Sequence, residues 1–366
     1  MSPLKLFNDD LWTFTGDIRQ GIGCAKLLRC PSPSTTVPGT PTTTMDPYQS
    51  LHIILNPDGT ITRLEKHPES PASPDPNLSH PVLSKDLTIN PSHSTWARIY
   101  LPRQVLNHPP SPPTKLPLIV FFHGGGFIFY SAASTYFHDV CVNLAENTQS
   151  VVVSVNYRLA PEHRLPAAYE DAMEALHWIR TSDDPWLTCF ADFSNCYLMG
   201  GSAGGNIAYN TSLRAATEVD QLEPLKIQGL ILVQPFFGGV ERNSSELRLA
   251  DDKMLPLPVN DLFWELSLPV GVDRDHGYCN PTGESGRKGL DEIERFRWKV
   301  TVFGSYGDPL VDREMELVKA LEEKGVEAKG YFEGEYKHGD FSKEPAKALA
   351  KQLYKRIKKV ITQLVA

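Results

Sequence analysis

Short, largely apolar runs recur along the chain at residues 116–122, 151–157, 196–199, 229–233 and 298–303. Between them lie longer stretches, 136–147, 167–181, 206–216 and 312–324, in which apolar residues return every three or four positions. Runs of the first kind fit strands buried on both faces, and stretches of the second kind fit helices with one apolar face. Their alternation predicts an α/β protein built on a mostly parallel sheet flanked by helices. Residues 328–332 read as a final strand. Residues 345–364 read as a closing helix whose lysines form a solvated face beside one buried stripe.

Two regions break the alternation. Residues 236–281 are Pro-rich and irregular around an apolar segment, 259–268, and are predicted to be an insertion capping the sheet. Residues 31–45, rich in Pro, Ser and Thr, offer too little apolar surface to offset the entropy of ordering, and read as a flexible linker. The expected division is therefore a 1–45 extension followed by a 46–366 body, with Met45 as an alternative start. A stiff Pro-rich stretch at 108–113 feeds the first buried strand.

Composition narrows the function classes. A chain of 366 residues with 41% hydrophobic content suffices for one large decorated domain. A net charge of −8 argues against nucleic acid or an anionic membrane as partner. A small, neutral or cationic substrate fits better, and the oligomeric state is left open. No apolar run reaches the length of a membrane span, and residues 1–25 lack a secretory apolar core. The six cysteines show no paired zinc spacing. A cytoplasmic location is expected. Organelle import by residues 1–30 is a second reading, opposed by Asp9, Asp10 and Asp17.

The candidate chemistry starts at Ser202, set in Gly200-Gly201-Ser202-Ala203-Gly204-Gly205-Asn206 between an apolar run and a helical stretch. A strand reversing sharply into a helix strains the turn residue and requires almost no side chain two positions to either side, as Gly200 and Gly204 provide. Acyl transfer also needs a base, a group that orients it, and donors for the oxygen that becomes negative. His123-Gly124-Gly125-Gly126-Phe127 follows the first strand, so the amides of Gly124 and Gly125, with that of Ala203, are candidate oxyanion donors. His338, after the final strand, is the candidate base. Asp308, on the loop after the 298–303 strand, is the candidate orienting acid; Asp312, one helical turn on, is its rival and could instead cap a helix. His123 has no partner at metal-ligand spacing and is expected to brace the glycine loop. No metal and no cofactor are called for. Phe127, Phe129, Phe236, Phe237 and Trp264 are candidate pocket residues.

Taken together, His123 to Phe127, the Tyr157 to Tyr169 segment, Gly200 to Asn206, Asp308 to Asp312 and His338-Gly339 make the chain similar to the plant carboxylesterases of the hormone-sensitive-lipase group, over about residues 46–366. The resemblance implies an α/β-hydrolase fold with an eight-stranded, mostly parallel sheet and a cap made by the N-terminal segment and the 236–281 insertion. It implies a serine esterase acting on small to medium carboxylic esters, and a structural polar network around Arg158 and Glu162. Two departures stand out: Gly201 occupies a position that is commonly acidic in the group, and residues 1–45 have no recognised counterpart. The same scaffold serves gibberellin receptors, which have lost the histidine, isoflavonoid dehydratases, which carry threonine at the nucleophile position, and alkaloid cyclases. His338 and Ser202 speak against the first two. Elimination or cyclisation, and slow hydrolysis of a tightly held hormone, stay open as alternatives.

Overall fold

The computed structural model describes residues 46–77, 79–107, 115–339 and 346–362. All of them belong to the unit Met45–Ala366, and the expected 1–45 extension lies outside the described residues. The strands are β1 (Ile53–Leu55), β2 (Ile61–Arg63), β3 (Val82–Asn90), β4 (Thr95–Pro102), β5 (Leu116–Phe122), β6 (Val151–Asn156), β7 (Ala191–Gly201), β8 (Ile227–Val233), β9 (Lys299–Gly304) and β10 (Ala328–Phe332). The helices are α1 (Pro47–Ser50), α2 (Gln104–Asn107), α3 (Thr135–Thr148), α4 (Ala167–Thr181), α5 (Pro185–Phe190), α6 (Ala203–Thr217), α7 (Ser244–Arg248), α8 (Leu257–Ser267), α9 (Lys288–Arg295), α10 (Val311–Glu323) and α11 (Ala346–Thr362).

Eight strands form one sheet in the order β10-β9-β8-β7-β5-β6-β4-β3, parallel from β10 to β6 and antiparallel at β4 and β3. Alternate side chains of each central strand leave on opposite faces. Leu118, Val120 and Phe122 join the core beneath α4, α6 and α10, while Ile119 and Phe121 join a second core beneath α3 and α11. Both faces are therefore dry, which is why these strands read as continuous apolar runs. The antiparallel pair β3–β4 was not anticipated. Its outer strand is half-buried, with Lys85 and Asp86 interrupting the apolar positions, so it lacks the uninterrupted run that marks its neighbours.

Several boundaries also differ from the expected ones. Strand β7 extends back to Ala191 through an irregularity between Cys196 and Tyr197. Helix α6 begins at Ala203 rather than at 206, because the Gly204-Gly205 pair that looks like a helix breaker is packed into its first turn. The 236–281 segment does depart from the alternation, and it contains α7 and α8. Helix α1 packs against α8, so the N-terminal segment and the insertion share one layer. Arg63 on β2 fastens that layer, donating to the carbonyls of Ile128 (2.7 Å) and Ala160 (2.8 Å) and to both carboxylate oxygens of Glu162. Arg158 instead grips Asp171, so the expected Arg158–Glu162 network is two separate ones.

One buried side chain gathers the ends of the insertion. Asn206 of α6 donates to the carbonyls of Phe236 (3.0 Å) and Tyr278 (2.7 Å), while its oxygen accepts from Tyr169 (2.7 Å) and Asn210 (3.0 Å).

Candidate active site

Strands β5 and β7 are neighbours and parallel, so the loops after their C-terminal ends emerge side by side, where open α/β sheets hold ligands. The loop after β5 is His123 to Gly126, and the turn after β7 is Ser202. Ser202 has φ +54° and ψ −124°, a strained conformation for a residue with a side chain. The turn is possible because its flanks are bare: a Cβ on Gly200 would lie 2.2 Å from the Gly204 backbone, and one on Gly204 would lie 1.9 Å from the Phe122 carbonyl oxygen. The Ser202 amide donates to the Val233 carbonyl (2.9 Å), and its own carbonyl accepts from Gly205, Asn206 and Phe236. Both sides of the turn are thus pinned.

The Ser202 hydroxyl donates to Nε2 of His338 at 2.8 Å. On the other side of the ring, Nδ1–H donates to Oδ2 of Asp308, also at 2.8 Å. This assignment makes the imidazole neutral, with its free lone pair aimed at the serine. Asp308 is fully buried, and its other oxygen accepts from the Leu310 amide at 2.9 Å. Burial disfavours a charged His338, but the Asp308 carboxylate, through its charge and its hydrogen bond, and Asp252 more weakly, outweigh burial and hold the histidine above its ordinary value. The rival Asp312 has other work: it lies in the first turn of α10, and its Oδ2 accepts from the Ser245 amide of α7 at 2.7 Å.

The glycine loop lies against the serine. A Cβ on Gly124 would come within 3.3 Å of the Ser202 Cβ and 2.9 Å of the Gly201 carbonyl oxygen. Among the described residues, no backbone carbonyl accepts from the amides of Gly124 or Gly125, and Ala203 opens α6, where the helix itself offers no acceptor. His123 supports this loop from below. Its Nδ1–H donates to the Gly124 carbonyl at 2.9 Å, its ring stacks on Tyr157 at 4.2 Å, and the Tyr157 hydroxyl donates to the His123 carbonyl at 2.8 Å. Complete burial lowers the His123 pKa to about 4, against the raising effect of the Gly124 bond, so the ring is a neutral prop.

The aromatic candidates occupy a different place. Phe127, Phe236, Phe237 and Trp264 are at most 1% exposed and belong to the core, with Phe236 and Trp264 stacked at 4.6 Å. Of the five, only Phe129 keeps partial exposure, edge-on to Phe263 and His67. As in many folds, aromatic residues next to a functional loop fill the layer beneath it.

Three contributors carried no sequence signal. Ser305 holds the His338 loop, its hydroxyl accepting from the Tyr336 amide (2.7 Å) and donating to the Gly334 carbonyl (3.1 Å). Asp252, from the insertion, is bound by Lys337 at 3.3 Å, next to the histidine. Glu314 lies wholly buried on α10, and burial, helped by the charge of Asp308, pushes its carboxyl well above the usual range. As for metals, His93, Asp171 and Glu174 bring ligand atoms within 4.8 Å of one another, but Asp171 is already gripped by Arg158.

With this geometry in place, comparison with known proteins is specific. The α/β-hydrolase fold family matches residues 119–341. Carboxylesterase 20 of Arabidopsis thaliana is 50% identical over 322 residues, covering 88% of this chain and 98% of that protein. The 3-O-acetylpapaveroxine carboxylesterase CXE1 of Papaver somniferum is 46% identical, covering 82% and 93%. A solved esterase of Pyrobaculum calidifontis superposes with a TM-score of 0.63 at 27% identity, covering 76% of this chain and 85% of its own. The rice gibberellin receptor GID1 is more distant, 40% identical over 58% of each chain. The chain belongs to the plant carboxylesterase group of the α/β-hydrolase fold family.

Proposed function

We propose that this protein is a serine carboxylesterase, hydrolysing small to medium carboxylic esters through an acyl-enzyme on Ser202. The observation that carries the reading is the position of His338, whose two ring nitrogens each lie 2.8 Å from an oxygen, one of Ser202 and one of Asp308. Relatives named as carboxylesterases or probable carboxylesterases cover 82% to 88% of this chain.

In the first step the Ser202 oxygen attacks the ester carbonyl carbon while its proton passes to Nε2 of His338. Asp308 keeps the ring in the tautomer that can accept that proton and stabilises the imidazolium that results. The negative oxygen of the tetrahedral intermediate sits at the amides of Gly124, Gly125 and Ala203, where each donor contributes on the order of 3 kcal/mol. Collapse breaks the bond to the alcohol oxygen, which takes the proton from His338 and leaves. Water then repeats the sequence on the acyl-enzyme, returning the proton to Ser202 and releasing the acid. The proton inventory closes without a cofactor.

Purified protein is expected to release nitrophenol from nitrophenyl acetate and butyrate, and Ser202→Ala to lower kcat by several orders of magnitude. Equal turnover by the alanine variant would overturn the mechanism. An organophosphate should label Ser202 stoichiometrically. Saturable ligand binding without turnover or labelling would point to a receptor, and elimination without a covalent intermediate to a cyclase.

A further inference from the structure

The base sits on a loop that is exposed on either side of it. Residues 334, 335, 337 and 339 are exposed, and a small cavity of about 30 Å³ lies beside the loop, lined by Gln234, Phe303, Ser305, Tyr331, Tyr336 and Leu353. Hydrogen bonds tie this exposed loop to the sheet end. Ser305 secures the approach to the histidine through Gly334 and Tyr336. The Tyr136 hydroxyl donates to the Gly339 carbonyl at 3.0 Å, and the backbone on both sides of His338 is reached by Gln234. Its Nε2 donates to the Lys337 carbonyl at 3.4 Å, and its Oε1 accepts from the Gly339 amide at 2.9 Å.

Gln234 is also placed to know where the serine is. It directly follows Val233, whose carbonyl accepts from the Ser202 amide at 2.9 Å. Its own amide donates to Phe303 at 2.7 Å, on the strand whose following loop carries Asp308. The residue is 4% exposed and has φ +45°, a left-handed conformation that a side chain pays to adopt. Glycine would be the natural choice there if only the backbone mattered. The glutamine at this position contributes two amide bonds that glycine would lack.

We propose that Gln234 is the positioning residue for the base, a clamp whose side-chain amide fixes the backbone on both sides of His338 relative to the strand end that holds Ser202. This rests on the esterase reading for its kinetic consequences but not for its structural ones. The amide matches a carbonyl on one side and an N–H on the other with two separate atoms, whereas a hydroxyl such as that of Ser305 must do both from one atom, and Asn is one methylene shorter. The reacting atoms tolerate little error, since a displacement of about 1 Å can cost about a hundredfold in rate.

The test uses Gln234→Gly, which suits the left-handed backbone while removing both bonds, and Gln234→Glu, which keeps the acceptor for Gly339 but loses the donor to Lys337. The glycine variant is expected to keep its melting temperature within a few degrees and to lose about ten- to a hundredfold in kcat for nitrophenyl butyrate, with KM nearly unchanged. The glutamate variant should fall between it and the parent. In a His338→Ala background the residual rate should not fall further with Gln234→Gly, because a clamp acts through the base. An equal fractional loss in both backgrounds, or an unchanged kcat, would overturn the proposal. A substrate-free readout separates it from the esterase reading: the His338 Nδ1–H proton resonance should broaden or shift in the glycine variant. If the parent turns over no ester but the resonance responds, the esterase reading fails and the clamp stands; an unmoved resonance rejects the clamp.

Discussion

The α-carbon of Gly204 faces the carbonyl oxygen of Phe122 so closely that a methyl group there would sit 1.9 Å from it. The contact brings helix α6 against the end of β5, and with it the serine turn against the glycine loop. Gly204→Ala is therefore expected to cost about 3 kcal/mol or more, because backbone rather than a flexible side chain must move. At Gly201 the nearest atom to an added Cβ is the Val233 carbonyl oxygen at 3.7 Å, an ordinary contact. Gly201→Asp should fold with a stability within about 0.5 kcal/mol of the parent. Chemical denaturation of the two variants checks both, and equal destabilisation would contradict the packing described.

Because the Asp308 and Asp252 charges hold His338 above its ordinary value, kcat/KM should climb with pH and level off only beyond about 6.5. The histidine must be neutral to accept the serine proton, so the raised value moves the rising limb to higher pH. Asp252→Asn should return the limb toward lower pH with a modest change in plateau, whereas Asp308→Asn should lower the plateau on the order of 10⁴-fold. The stability linkage has the opposite sense. A raised folded-state value stabilises fully below the unfolded value near 6.5, and that contribution is lost as pH rises through the folded one. Urea titrations of the parent and His338→Ala across pH 5 to 9 should differ in slope in that window.

Tyr157→Phe removes the hydroxyl that supports the His123 carbonyl under the glycine loop. Both groups are buried, so the loss should cost about 1–3 kcal/mol of stability. If the loop amides stabilise the negative oxygen, kcat should fall more than KM rises. A kinetic pair on nitrophenyl acetate measures the split, and a pure KM effect would place the loop's role in ground-state binding.

Arg63→Ala leaves the carbonyls of Ile128 and Ala160 and the Glu162 carboxylate without their shared donor. The pair is partly exposed, so its charge alone is a small contribution. The lost backbone bonds dominate, and β2 should loosen from the loop after β5. Faster amide exchange across residues 53–63, together with a raised KM, is the expected outcome; unchanged exchange would show that α1 packing suffices.

The central sheet was legible because β5 to β9 are covered on both faces, and continuous apolar runs have few other uses. Ser202, Asp308 and His338 were legible for a different reason. Each lies on a connection just after a strand, and all three have glycine or proline neighbours that announce a turn. What escaped was whatever depends on two distant segments meeting. Strand β3 has a mixed pattern because one side faces solvent, and Gln234, Ser305 and Asp252 are ordinary polar residues until the His338 loop folds over them. The aromatic set misled in the opposite direction: large rings near a functional loop suggest a cavity wall, yet Phe236 and Trp264 stack on each other in the interior.

Asn206 joins the two feet of the insertion at Phe236 and Tyr278 to the first turns of α6. Once those feet are fastened, the intervening stretch is a closed excursion, and lengthening such an excursion costs little, about 0.6 kcal/mol for each doubling. Descendants of this scaffold can therefore rebuild that stretch while leaving the serine undisturbed. The same stretch supplies Asp252, so a lineage that remodels it for a new ester would retune, in one stroke, the acidity at which its enzyme works best.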